Sequence, residues 1–228
     1  MANYLVIGGG SGFGKAIAKD LLSNHNVWAT YHTTQLDFTP THMQRLNVLD
    51  EELTMELPQV LDGLVYAVGN IPLGGFHRSS PEDFLKDYSL QVLGAIKVLQ
   101  RALPALKRSE NPSVVLFSSV AGKKGYGFHS VVSTHKAALE GLVRSLAAEF
   151  APRIRFNCIA PGLSETPLAS RLLDSPEKKE KMAQRNPMKR IGSSKDASSL
   201  CRFLLSEEAS WITGQCIALD GGESTLGI

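Results

Sequence analysis

The sequence predicts a doubly wound α/β fold, one parallel sheet with helices on both faces, formed by residues 1–228 as a single domain. Three observations carry that expectation. Short, nearly continuous apolar runs recur along the chain. Longer stretches with a helical hydrophobic period separate them. A glycine-dense turn joins the first apolar run to the first helical stretch.

The apolar runs cover residues 4–7, 27–31, 63–68, 113–117, 154–159 and 216–219. Runs of this length without polar alternation suit parallel strands, because a strand covered by helices above and below has no solvent side. Between them, Phe13, Ile17, Ala18, Leu21 and Leu22 fall on one helical face, and residues 81–106 and 133–150 read as longer helices. Strands alternating with helices imply right-handed βαβ crossovers. The segment 33–45 is short and weakly periodic where such a fold holds a crossover helix. It reads as a loop or a stunted turn of helix.

Length and composition fit one globular domain: 228 residues, 43% hydrophobic and 20% charged. A formal net charge of +2, dispersed in short clusters such as Lys178-Lys179 and Lys189-Arg190, gives no nucleic-acid surface. No apolar run approaches the ~18 residues of a membrane helix, and the start lacks the pattern of a secretory leader. Cys158, Cys201 and Cys216 have no metal-ligand spacing and read as reduced, buried thiols. A cytoplasmic protein with no metal, membrane or nucleic-acid partner is therefore expected.

Directly after the first strand comes Gly8-Gly9-Gly10-Ser11-Gly12-Phe13-Gly14, which opens the first helix. Glycine reaches positive φ and lets backbone N–H groups approach a pyrophosphate. The helix N-terminus adds partial positive charge aimed at the same anion. The order strand, glycine turn, helix makes this a nucleotide-binding candidate.

The spacing of Gly8, Gly12 and Gly14 is G-x-x-x-G-x-G, which resembles the short-chain dehydrogenase/reductase family. Further along, Ser118-Ser119-Val120-Ala121-Gly122 is similar to that family's catalytic-serine segment, and Asn157-Cys158-Ile159-Ala160-Pro161-Gly162 with Thr166-Pro167 to its nicotinamide-side motif. Ile212-Thr213-Gly214-Gln215 through Asp220-Gly221-Gly222 resembles its last strand and turn. The resemblance implies a Rossmann fold, a nicotinamide cofactor and a small-molecule substrate. It also implies a homo-oligomer, or a hetero-oligomer with an intact family member. As cofactor-binding residues it implies Gly8, Ser11, Gly12, Phe13, Gly14, His32, Asn47, Gly69, Lys136, Pro161, Gly162 and Thr166.

The family's reaction implies a serine holding the substrate oxygen, a tyrosine as acid–base, a lysine four residues later gripping the ribose, and an asparagine ordering a relay water. Here Ser119 and Lys136 take the serine and lysine positions, but the tyrosine position falls on Val132 and the asparagine position on Gln91. Valine has no proton to donate. A positioned acid contributes ~100- to 10,000-fold in rate, so efficient carbonyl reduction by the usual route is not expected, while cofactor binding can survive. Tyr126 is expected as an aromatic lining the substrate cleft and His135 as a surface or interface side chain. His129 stays open between proton transfer and plain lining.

The second strand ends Ala29-Thr30-Tyr31-His32-Thr33-Thr34, without the carboxylate that holds an NAD ribose. The cofactor is NADP or NAD, and the missing acid favours NADP, although no arginine accompanies it there and Asp37 could fold back. Asn47 is a candidate adenine contact. The functional reading is an NAD(P)-dependent oxidoreductase acting on a carbonyl or alcohol with a degenerate catalytic set. Two alternatives stand beside it: a weakly active or non-catalytic subunit paired with an intact homologue, and a non-redox enzyme on the same fold. The cleft should be shaped by residues 163–188, which do not disclose the substrate.

Overall fold

The computed structural model describes residues 1–227. Strand β1 (Asn3–Ile7) leads through the glycine turn into α1 (Gly12–Leu22), and β2 (Asn26–Tyr31) is followed by a loop and β3 (His42–Arg45). After β4 (Gly63–Tyr66), α2 (Pro81–Tyr88) runs through a π-helical turn (Ser89–Leu93) into α3 (Gly94–Leu106). Then come β5 (Ser113–Phe117), α4 (Ser130–Phe150), β6 (Arg155–Pro161) and β7 (Ser164–Glu165). The chain closes with α5 (Pro176–Arg185), β8 (Gly192–Ser193), α6 (Ser194–Leu205) and β9 (Cys216–Leu219).

Seven strands form one sheet in the order β3-β2-β1-β4-β5-β6-β9, and every neighbouring pair is parallel. The short β7 and β8 pair separately. Side chains of a strand alternate between faces, and the core divides accordingly. Leu5 and Ile7 of β1 join Leu64, Leu116, Val98 and Leu139 on one face. Tyr4 and Val6 join Ile17, Leu21, Val65, Cys201 and Leu204 on the other. Helices α1 and α6 cover the second face; α3 and α4 cover the first. This is the doubly wound Rossmann architecture expected from the alternation of elements.

The segment 33–45 departs in part from expectation. Residues 33–41 form no helix, and β3 then pairs with β2 through Trp28↔His42 and Tyr31↔Arg45. An edge strand with one exposed side carries polar residues and gives no apolar run, so His42-Met43-Gln44-Arg45 did not read as a strand. Helix α4 also begins at Ser130, three residues before the expected start. Helix α6 was unanticipated despite a local signal. Ser193 caps Asp196 reciprocally, and Ala197, Cys201, Leu204 and Leu205 follow on one buried face. A cap of this kind contributes about 1 kcal/mol.

The strand order reverses between β1 and β4, which places a crevice at the carboxyl ends of these two strands and of β5 and β6. Cys158 and Cys201 are buried free thiols and Cys216 is half-buried; Cys158 and Cys216 face each other across β6 and β9 with sulfurs 3.4 Å apart. Among the described residues no helix is long and apolar enough to cross a membrane.

Candidate active site

The turn between β1 and α1 needs glycine for local reasons. Gly12 holds φ +53, in the left-handed region, and a Cβ on Gly14 would overlap the carbonyl oxygen of Gly8. The second constraint lets α1 pack directly against the end of β1. The N-cap, Ser11, makes no side-chain hydrogen bond to the helix, and no acidic residue lies in the first turn. The first-turn amides of α1 therefore keep their donors and the helix keeps its positive end undiluted, which suits an anionic diphosphate.

A cleft of ≈ 610 Å³ opens there. Of the expected residues, Ser11, Gly12, Phe13, Gly69, Ser119, Lys136, Pro161, Gly162 and Thr166 all line it. Apart from Lys136 of α4, they come from the segments that follow β1, β4, β5 and β6, and the parallel sheet brings them to one wall. Gly8 and Gly14 shape the turn and do not line the cleft. His32 and Asn47 also lie outside its lining. The carbonyl of His32 accepts from Nε of Arg45 at 3.2 Å, while the Asn47 amide donates to Asp50 and its oxygen accepts from the Leu49 N–H. Asp37 is paired with Lys15 and Lys19 of α1 at 2.6 and 3.3 Å.

Lys136 is buried, and its Nζ donates to the carbonyl of Phe117 at 2.8 Å. Burial pulls its pKa down to about 8, against the charges of Cys158 and Asp87, which favour the ammonium. Val132 lines the cleft one helical turn earlier and offers only methyl groups. The Oγ of Ser119 accepts from the Ala121 N–H at 3.2 Å, so it caps the turn after β5 while facing the cleft. Its neighbour Ser118 turns inward to Glu140.

Tyr126 lines the cleft as expected, and its hydroxyl donates to Oε1 of Glu223 at 2.8 Å. Burial, and after it the Glu223 carboxylate, push the phenol well above the usual tyrosine range. His129 lines the same wall, with Nδ1 2.7 Å from the Gly127 carbonyl. A carbonyl only accepts, so Nδ1 carries the hydrogen and Nε2 is left for other partners.

His135 corrects its expectation: it is 2% exposed and buried within the chain. It does point away from Lys136, but toward α2, where Asp87 Oδ2 stands 2.7 Å from its Nδ1. An acid on a distant helix could not be read from the local period. Glu223 of the cleft wall was likewise missed, because it reaches the cleft from the turn after β9. The segment 163–188 does shape the cleft, through Leu163, Leu168, Leu172 and Met182 among others, and it contains α5.

The fold and cleft are those of a doubly wound α/β protein with its cleft at the strand-order switch point. The family model described as enoyl-(acyl carrier protein) reductase matches residues 41–224. A tropinone reductase homolog of Arabidopsis thaliana is 34% identical over 99% of this chain and 94% of its own length. An uncharacterized oxidoreductase of Thermotoga maritima is 35% identical over 76% of this chain and 71% of its own. Among solved structures, the ligand-free aldohexose dehydrogenase of Thermoplasma acidophilum superposes with a TM-score of 0.90 at 26% identity, covering 100% of this chain and 96% of that one. A tyrosine-to-phenylalanine variant of ElxO with NADPH bound gives 0.86 at 27% identity over 99% of both chains. The chain belongs to the short-chain dehydrogenase/reductase family of oxidoreductases.

Proposed function

We propose that this protein is an NADP(H)-dependent oxidoreductase that interconverts a small carbonyl compound and its alcohol without a tyrosine acid. One observation carries the reading. A single cleft collects the uncapped start of α1, Ser119 and Lys136, while Val132 stands where the family's phenol belongs. When bound, the dinucleotide supplies or accepts the hydride.

Each residue has a task that its chemistry allows. The first-turn amides of α1 hold the diphosphate. The Lys136 ammonium holds the ribose hydroxyls. Ser119 Oγ holds the substrate oxygen. His129, its Nδ1 fixed by Gly127, exchanges a proton at Nε2. Beside β2, Arg45 and His32 offer cationic and imidazole partners to a 2′-phosphate, and no free carboxylate opposes it because Asp37 is paired. Bound NADPH and NADP in two ElxO structures add to the preference for the phosphorylated cofactor. The apolar side chains of the 163–188 segment favour a largely apolar substrate, and Glu223 on the wall disfavours an anionic one.

The absence of the phenol favours one second reading, a weakly active subunit paired with an intact homologue. Fluorescence titration of the pure protein with NADPH and NADH tests the first. Saturable binding with NADPH preferred by about tenfold or more supports it. No binding of either cofactor ends it, and turnover that appears only on mixing with an intact homologue establishes the second.

A further inference from the structure

Strand β9 is the last of the sheet and is bonded only to β6. Cys158 of β6 and Cys216 of β9 are register partners. Parallel neighbours stand about 4.8 Å apart, inside the roughly 4.4–6.8 Å that a disulfide spans between Cα atoms. Both side chains point to the face covered by α4, and their sulfurs are 3.4 Å apart. Closing that gap to a bond of ~2.05 Å asks for a small shift, which an outer strand held on one side only can supply.

The surroundings of the pair suit thiol chemistry. Cys158 is 0% exposed whereas Cys216 is half-buried, so an oxidant from solvent meets Cys216 first. Beside the Cys216 thiol stands Glu140 of α4, a carboxylate only 4% exposed, whose Oε1 accepts from Ser118 Oγ at 2.9 Å. Two exposed cations, Lys123 and Arg144, reach its Oε2 at 3.8 and 4.0 Å, and Lys123 Nζ also donates to the Cys216 carbonyl at 3.2 Å. Hydrogen bonding to Cys158, burial and then Glu140 raise the pKa of the Cys216 thiol. Its sulfur therefore attacks only as the proton passes to a base, and Glu140 is the base at hand. Cys201 lies on the opposite face of the sheet, out of reach of both.

From this pair the two strands run on together through Ile159↔Ile217, Ala160↔Ala218 and Pro161↔Leu219. The ladder ends where the N–H of Gly162 donates to the Leu219 carbonyl at 3.0 Å. Gly162 lines the cleft, and so does Glu223 in the turn after β9. Whatever joins β6 to β9 thus joins two parts of the cleft wall.

We propose that Cys158 and Cys216 are a reversible thiol-oxidation site: a hydroperoxide converts them to a disulfide that ties β9, and the turn carrying Glu223, to β6. The Cys216 sulfur attacks the outer peroxide oxygen and the O–O bond breaks. The thiol proton passes through Glu140 to the leaving oxygen, which departs as an alcohol, or as water from hydrogen peroxide. The Cys158 sulfur then attacks the sulfenic acid so formed; the S–S bond forms, the S–O bond breaks, and the hydroxyl leaves as water with the Cys158 proton. The two sulfurs give up two electrons and the peroxide takes them. A small dithiol reduces the bond again by exchange. The two thiols react whether or not the cleft holds a dinucleotide.

Treatment of the pure protein with hydrogen peroxide, followed by denaturing alkylation, tests the site. The thiol count should fall from three to one, and dithiothreitol should restore it. Mass spectrometry of an unreduced digest should find Cys158 and Cys216 joined within one chain and Cys201 alkylated. The melting temperature should rise by about 5 °C or more on oxidation, as closing a long loop in a chain of this size implies. Cys216→Ser should keep both of its remaining thiols, and Cys158→Ser should stop at a Cys216 sulfenic acid that dimedone traps. Glu140→Gln should slow oxidation by about tenfold or more. Three surviving thiols in the wild-type protein, a bond between two chains or a bond to Cys201 overturns the proposal. A bond formed with no rise in melting temperature overturns the tying of β9, and an unchanged rate in Glu140→Gln overturns the proton path.

Discussion

Val132 and Lys136 lie one helical turn apart on the face of α4 that lines the cleft, so a hydrocarbon stands beside a buried amine where acid–base chemistry is expected. Installing the acid is therefore a direct test. Val132→Tyr should raise NADPH-dependent reduction, measured across a panel of small ketones, by at least about tenfold, the low end of what a positioned acid contributes. No gain would mean that the cleft around Ser119 has been reshaped for different chemistry.

Lys136 also leaves a signature in stability. Its pKa is lowered from 10.5 to about 8 in the fold, so the unfolded chain binds more protons between those values. Stability should then rise with pH from about 8 toward 10.5, and at neutral pH burial of the charge costs on the order of 3 kcal/mol. Lys136→Met should melt higher than wild type at pH 7 and lose that alkaline increment, as thermal unfolding across pH 6–10.5 will reveal, while NADPH binding weakens.

Arg45 projects from the edge strand β3 to the carbonyl of His32. Arg45→Glu should weaken NADPH and 2′,5′-ADP by about tenfold or more and leave NADH and 5′-AMP nearly unchanged. Equal losses for both pairs would place the phosphate elsewhere.

His129 carries the proton in the proposed reaction. His129→Asn keeps a donor for the Gly127 carbonyl and removes the exchangeable ring proton. The reduction rate should drop about 100-fold with NADPH affinity retained. Full activity in this variant would assign the proton to solvent.

Much of this molecule was legible in its sequence, for identifiable reasons. Central strands such as residues 113–117 are covered on both faces and show as unbroken apolar runs, and the glycine turn shows because backbone geometry permits few other residues. The edge strand β3 left no run because one side meets solvent. At the site, Ser119 and Lys136 sit where their motifs put them on the cleft wall, but Glu223 reaches that wall across the fold. It is an ordinary polar residue in its own segment, and only the return of the chain after β9 gives it a meaning.

That return has a practical result. Tyr126 and Lys124 grip Glu223 through its carboxylate and its carbonyl, at 2.8 Å each, and a Cβ on Gly162 would meet Asp220. Glu223 is thus part of the cleft wall, whereas Ala2 precedes β1 at the opposite end of the parallel sheet. Changes made in the turn that carries Glu223 therefore reach the cleft wall, and assays on such variants would report the turn along with the chemistry.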